Sequence, residues 1–248
     1  MEPVFRSLEI AVKSAVAATG TRITYQGLKH IPARGGAVIA INHTSYVDFM
    51  PAALAATHCR RRIRFMLKME VQKIPVVGFV VRRARVIPVD RSAGGDAYPV
   101  AVKRLRAGEL VGVYPEATIS RSFELKAFKS GAARMALDAG VPIIPVIVWG
   151  VHRVWTKDHP KRLGRRKIPV TVRVGTPIPP VGSVDDLLDV LRDTMTDQLH
   201  AVQQEYPHPA DAYWVPNRLG GGAPTPAEAE VLDKAEWAER ARKSAGGR

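Results

Sequence analysis

The stretch Ala37-Val38-Ile39-Ala40-Ile41-Asn42-His43-Thr44-Ser45-Tyr46-Val47-Asp48 decides the reading of this chain. Its first five residues form a short unbroken apolar run, the pattern of a strand buried on both faces. The run gives way to polar residues, and among them His43 and Asp48 lie five positions apart. A neutral imidazole takes a proton from a hydroxyl only when its other ring nitrogen is held as N–H, and a neighbouring carboxylate does that holding. In a regular helix five residues turn through about 500°, so the two side chains would diverge by roughly 140°. The pair therefore needs a turn at His43 before any helix begins. Ser45 with Asp48 three residues on fits a Ser-x-x-acid capping pattern and sets the helix start just after His43. Taken alone, the same residues read more readily as a helix cap beside a polar strand end, so the chemistry rests on what else the chain carries.

Working outward, strands are expected at 22–26, 37–41, 63–67, 110–114, 143–149 and 170–174, from period-two alternation or short apolar runs. Helices are expected at 46–56, 75–83, 96–106, 130–139 and 185–204, with Pro75 in a first turn and Gly140 just past a last one. Alternating strands and helices favour an α/β fold with a mostly parallel central sheet covered by helices on both faces. In such sheets functional groups gather at the carboxyl ends of strands, where His43 and Glu116 both fall. Before the first strand, Val4, Phe5, Leu8, Ala11, Val12, Ala15 and Val16 share one helical face, opposite Arg6, Glu9 and Lys13. Such an amphipathic helix packs on its own domain or lies in a lipid interface. Residues 217–226 hold three consecutive glycines and two prolines, a linker composition, and 227–243 reads as a charged, Ala-rich helix with little to bury. The expected organisation is an amphipathic helix at 1–20, a main domain at 21–215, and a linker with a charged helix at 216–248.

With 248 residues and 46% hydrophobic content, one substantial core is expected. The single cysteine, Cys59, rules out an internal disulfide and a Cys-based zinc site, and no metal is expected. The opening residues lack the features of a secretory signal, so no export is expected, and no window reaches the roughly 18 unbroken apolar residues of a spanning helix. The net charge of +14 is concentrated: residues 60–91 contribute +8 and 151–173 contribute +7, leaving −1 for the rest. Two basic regions imply an anionic partner, either nucleic acid, acidic headgroups or phosphorylated substrates. An aromatic content of 6% and the lack of any helix-turn-helix, RNA-recognition or zinc-finger pattern argue against nucleic acid.

Four blocks carry a family resemblance. The first is Asn42 to Asp48; the second runs from Gly78-Phe79-Val80-Val81-Arg82-Arg83 into Ile87-Pro88-Val89-Asp90-Arg91. The third is Tyr114-Pro115-Glu116-Ala117-Thr118, followed by Ile119-Ser120-Arg121-Ser122, and the fourth is Val141-Pro142-Ile143-Ile144-Pro145-Val146. In order across the chain, these resemble the glycerolipid acyltransferase superfamily, in particular the bacterial 1-acylglycerol-3-phosphate acyltransferases. The resemblance implies that His43 takes the acceptor's proton with Asp48 behind it, and that the alkoxide attacks an acyl thioester without a covalent enzyme intermediate. It further implies that Arg91 and Arg121 hold the acceptor's phosphate, that Lys68 assists, and that Glu116 with Tyr114, Pro115, Thr118 and Ser122 forms the acceptor-binding loop. Glu116, an acceptor of hydrogen bonds only, could bind glycerol hydroxyls or order that loop.

The implied substrates are acyl-coenzyme A, or an acyl carrier protein thioester, and lysophosphatidic acid, with no further cofactor. The product would be phosphatidic acid for phospholipid synthesis. The expected setting is peripheral, on an anionic membrane surface at the cytoplasmic face, without nucleic acid. Glycerol 3-phosphate or another lysophospholipid is an alternative acceptor; a thioesterase or a nonenzymatic anionic-surface binder are alternative classes. Departures from the family pattern are Ala117 where glycine is usual, Ile119 and Ser120 ahead of Arg121, and Arg85 where glycine is common. Ala117 is expected to deny the loop a positive φ and to narrow the space beside Glu116.

Overall fold

The computed structural model describes residues 3–68, 86–89 and 97–245. Seven strands form one sheet: β1 (Arg22–Gln26), β2 (Ala37–Ile41), β3 (Ile63–Lys68), β4 (Ile87–Val89), β5 (Leu110–Val113), β6 (Ile143–Trp149) and β7 (Pro169–Val174). Their order is β1-β7-β6-β2-β5-β3-β4, and every neighbouring pair is parallel except β6 with β7. The mostly parallel α/β architecture expected from the alternation is the one observed.

β2 is the middle strand, and all five of its residues are buried, as are all seven of β6. Alternate side chains leave opposite faces of a strand. Val38 and Ala40 therefore join one core, with Ile143, Ile147 and Trp149, while Ala37, Ile39 and Ile41 join the other, with Ile144, Val146 and Val148. The first face is covered by α3 (Ala97–Arg106), α4 (Gly131–Ala139) and α5 (Val184–Glu205). In α5 the buried Leu187, Leu191, Met195, Leu199 and Val202 recur at helical spacing, and Ser183 and Asp186 close a capping box at its start. The second face takes Ala52, Ala55 and Ala56 of α2 (Phe49–His58). Gly140 sits at φ 64 as the C-cap of α4, the left-handed position that glycine adopts without penalty.

Three expectations need correction or fall outside these residues. α2 begins at Phe49 rather than at 46, because Asp48 spends its carboxylate on His43, Thr44 and Ser45 and residues 44–48 stay in turns. The stretch 217–226 is no free linker: Ala223 joins the first core and Leu219 packs against it, and the following α6 (Pro226–Ala245) packs against the site described below. The expected helix at 75–83, the block 78–83, Arg85 and Arg91 lie outside the described residues. The opening helix α1 (Pro3–Thr19) buries none of the side chains described in it. Phe5 lies under the guanidinium groups of Arg62 and Arg64, at 5.1 and 4.8 Å from its ring centre. Among the described residues no helix is long and apolar enough to cross a membrane.

Candidate active site

His43 leaves the carboxyl end of β2, and Glu116 leaves that of the adjacent β5. Asn42 makes the exit from β2 rigid by acting as one more rung of the sheet. Its Nδ2 donates to the Val148 carbonyl at 3.1 Å, and its Oδ1 accepts from the Val148 N–H at 2.7 Å. The chain then turns so that His43 Nδ1 meets Asp48 Oδ2 at 3.1 Å. The same oxygen accepts the backbone N–H groups of Thr44 at 2.9 Å and Ser45 at 2.8 Å. Asp48 is fully buried, and burial pushes its pKa up while the hydrogen bond from His43 and the two N–H groups pull it down; burial wins. Nδ1 is thus fixed as the donor, which leaves Nε2 as the basic nitrogen. Nε2 has no partner among the described residues, and the side chain keeps 19% of its surface exposed. On its flat side the imidazole stacks on Tyr114, with ring centres 4.1 Å apart and planes tilted by 22°.

Glu116 is buried, and each of its carboxyl oxygens is taken by backbone. Oε1 accepts the His43 N–H at 2.7 Å and Oε2 accepts the Lys126 N–H at 3.0 Å. Of the two roles open to this side chain, ordering the loop is the one its contacts express. Burial drives its pKa up to about 8 against those two N–H groups, with the charge of Asp48 adding to the rise.

The third block folds around the same point. Ala117 adopts φ 61, so the left-handed backbone that glycine would supply is imposed here on alanine, correcting the expectation that alanine would forgo it. The added residues ahead of Arg121 are pegs: Ile119 and Ser120 are buried, and the Ser120 N–H donates to the His43 carbonyl at 2.8 Å. Ser122 Oγ lies 3.1 Å from Ser120 Oγ and accepts from the Glu124 N–H at 3.3 Å, so it shapes the turn. The Pro115 carbonyl accepts from the Lys129 N–H at 2.8 Å, and Thr118 Oγ1 accepts from Lys126 Nζ at 2.7 Å. Lys68 ends β3, and its side chain lies outside the described residues.

Arg121 is where sequence reasoning was least complete. Its buried guanidinium meets Asp158 at 2.5 Å, Glu236 at 2.8 Å, and Asp233. Burial works against its charge, yet hydrogen bonds to Asp158 and Glu236, with the charges of Asp158 and Asp233, hold its pKa above the ordinary value. Lys126 Nζ pairs with Asp233, and Lys157 Nζ pairs with Glu236 at 2.9 Å and Asp233 at 3.4 Å. None of Lys126, Lys157, Asp158, Asp233 or Glu236 stood out in the sequence. The only signal for the last two was a carboxylate pair three residues apart on one face of a helix.

Comparison with known proteins gives the family and the fold. An Acyltransferase family model matches residues 22–149, more than half of the chain, from β1 through the last residue of β6. A protein of Borreliella burgdorferi named 1-acyl-sn-glycerol-3-phosphate acyltransferase is 27% identical over 157 residues, 62% of this chain and 62% of its own length. One of the same name from Limnanthes douglasii is 31% identical over 194 residues, 75% of this chain and 66% of its own. Another, from Bacillus subtilis, is 30% identical over 123 residues, 49% of this chain and 60% of its own. The chain thus spans less than two-thirds of the length of these relatives. The crystal structure of the 1-acyl-sn-glycerophosphate acyltransferase PlsC from Thermotoga maritima superposes with a TM-score of 0.70, covering 82% of this chain and 81% of that one at 23% identity, and so shares the fold. With the family match spanning β1 to β6 and enclosing the His43–Asp48 pair and the Glu116 loop, the chain belongs to the Acyltransferase family.

Proposed function

We propose that this protein transfers a fatty acyl group from a thioester, acyl-coenzyme A or an acylated carrier protein, to the free hydroxyl of 1-acylglycerol-3-phosphate. The observation that carries the reading is the His43–Asp48 pair, with Nδ1 held at 3.1 Å and Nε2 facing a partly open site. Nε2 takes the hydroxyl proton as the oxygen forms its bond to the thioester carbonyl carbon. The tetrahedral intermediate then expels the thiolate, the C–S bond breaks, and the imidazolium returns its proton to sulfur. The thiol is a good leaving group, so holding the acceptor against the base supplies much of the acceleration. Ionised Asp48 keeps the imidazole in the productive tautomer and stabilises the imidazolium, and Tyr114 fixes the plane of the ring.

The three relatives' names support lysophosphatidic acid as acceptor, and Arg121 is the side chain offered to its phosphate, with Arg91 and Lys68 as further cations. Glu116 with Tyr114, Pro115, Thr118 and Ser122 makes the loop that carries Arg121 to the base. The enzyme works from the membrane surface, with α1 and the basic segments against anionic headgroups, on the cytoplasmic leaflet where its thioester donors are found. No further cofactor enters this scheme. The test is incubation with a radiolabelled acyl-coenzyme A, with and without lysophosphatidic acid, followed by product analysis. Label in phosphatidic acid supports the reading, whereas label only in free fatty acid would make the protein a thioesterase.

A further inference from the structure

Three cations, Arg121, Lys126 and Lys157, face three carboxylates, Asp158, Asp233 and Glu236, and Arg240 one turn further along α6 also pairs with Glu236. Their origins differ. Lys126 projects from the segment whose backbone N–H holds Glu116. Lys157 follows Thr156, whose hydroxyl donates to the Thr44 carbonyl at 2.7 Å, beside His43. The three cations thus belong to loops joined to the His43 turn and the Glu116 loop, whereas Asp233 and Glu236 come from α6.

We infer that Lys126 and Lys157 join Arg121 in the site that receives the acceptor's phosphate, and that Asp233 and Glu236 hold this site closed until a phosphate displaces them. The inference rests on the reading that the acceptor carries a phosphate. A phosphomonoester bears a charge of about −1.5 to −2 and three acceptor oxygens, so it replaces two carboxylates nearly charge for charge. A guanidinium fork flanked by two ammonium groups suits that shape.

α6 is built to leave. Among its side chains whose burial is described, only Ala229 and Asp233 are buried, while Val231, Leu232 and Trp237 face solvent. It is held by ion pairs rather than by apolar area, and a pocket of about 460 Å³ opens beside it, lined by Tyr46, Arg121, Lys157, Leu232 and Glu239 among others. Lifting it therefore exposes little apolar surface, and the lost ion pairs are replaced by those to phosphate. The helix carries its own N-terminal cap, since Glu228 Oε2 accepts the Thr225 N–H at 2.8 Å and Thr225 Oγ1 accepts the Glu228 N–H at 3.3 Å. It can thus detach as a helix. The preceding residues stay anchored through buried Trp214, Val215 and Ala223, which puts the hinge at Pro224 and Thr225.

Two measurements on the full chain test this. In the Asp233→Asn/Glu236→Gln variant the KM for lysophosphatidic acid should fall about tenfold, the effect of one charge-assisted contact, with kcat and the thioester KM unchanged. Adding Lys157→Ala to that variant should reverse the gain. An unchanged or raised KM in the double variant overturns the inference. Should the double variant not fold, Glu236→Gln alone is the substitute, because Glu236 lies at the rim of the cluster, and a fall in KM of the same sign is required of it. Independently, hydrogen exchange of residues 226–243 in the unaltered protein should quicken on adding lysophosphatidic acid or inorganic phosphate. A response to both assigns the phosphate group itself as the trigger, a response to the lipid alone assigns the lipid headgroup, and no response to either overturns the inference. Because the inorganic phosphate arm needs no turnover, it still reads the closure if the proposed acyl transfer fails.

Discussion

The backbone N–H of His43 donates to Glu116 Oε1 at 2.7 Å, joining two positions 73 residues apart at the carboxyl ends of adjacent strands. His43 is therefore positioned by the very loop that also carries Arg121. Any substitution that loosens Glu116 should move both groups at once, raising the acceptor KM and lowering kcat together.

The protonation of Glu116 gives this a pH signature. Its folded pKa, at about 8, lies above its ordinary value of 4.5, so the stability it lends is fully present below 4.5 and is lost as pH rises through 8. Glu116→Gln removes that dependence while placing an amide donor against one N–H, a fixed cost of about 1–3 kcal/mol. In melts at a series of pH values between 5 and 9, the variant's Tm deficit should shrink as pH rises. A deficit constant across that range would mean that Glu116 is ionised throughout.

His43→Ala should lower kcat by about 10² to 10⁴ while leaving Tm close to that of the unaltered protein, because the imidazole is partly exposed and packs mainly on Tyr114. Asp48→Asn should be as severe in rate and should also cost stability. The amide oxygen can still accept the N–H groups of Thr44 and Ser45 at the Oδ2 position, but its NH2 group is then buried at the Oδ1 position, where no partner meets it. A folded His43→Ala protein retaining more than a tenth of the activity, an allowance of about 1.4 kcal/mol, would remove His43 as the base.

What could be read from the sequence followed from local rules. β2 and β6 were legible to the residue because an apolar run between turn residues has few other uses, β1 because its residues alternate, and α5 because its apolar positions recur at helical spacing. The His43–Asp48 geometry was legible because the spacing forbids a helix between them. What could not be read were contacts closed by tertiary folding. The start of α2 slipped because Asp48 serves three donors, which no capping pattern reveals. The acidic face of α6 looked like a solvated surface because Arg121, Lys126 and Lys157, which pair with it, lie 76 to 115 residues away. Glu116 resembled a substrate ligand because its type and position are the same whether its oxygens face a hydroxyl or the backbone.

Ala117, at φ 61, makes a separate prediction. The left-handed conformation costs an alanine roughly 1–2 kcal/mol, and glycine escapes that at an entropic cost of about 0.5–1 kcal/mol in the unfolded chain. Ala117→Gly should therefore leave stability unchanged or raise it by about 1 kcal/mol, a Tm increase of roughly 2–4 °C at this size. Ala117→Val, with a β-branched side chain at positive φ, should lower Tm and acceptor affinity together. A glycine variant melting several degrees below the unaltered protein would show that the alanine methyl group packs favourably enough to outweigh its backbone.

The last prediction concerns α1, whose two ends differ in what they touch. Phe5 is covered by Arg62 and Arg64, whereas Ala11 and Ala15 on the same apolar face are exposed and no described side chain of the helix is buried. A helix with apolar residues on one face and no core beneath it is suited to a lipid interface, where each nearby Lys or Arg gains about 1 kcal/mol from anionic headgroups. That attraction is screened within roughly 8 Å at physiological salt, so binding to anionic vesicles should weaken as salt is raised. Ala15→Asp, on the apolar face, should weaken it further without changing Tm, since the side chain is exposed and contributes nothing to the core. Phe5→Ala should instead lower Tm by removing two cation–π contacts worth about 0.5–1 kcal/mol each. Vesicle co-sedimentation alongside thermal melts separates the two residues. If Ala15→Asp lowers Tm and leaves sedimentation untouched, α1 packs against its own domain and the surface-docking proposal fails.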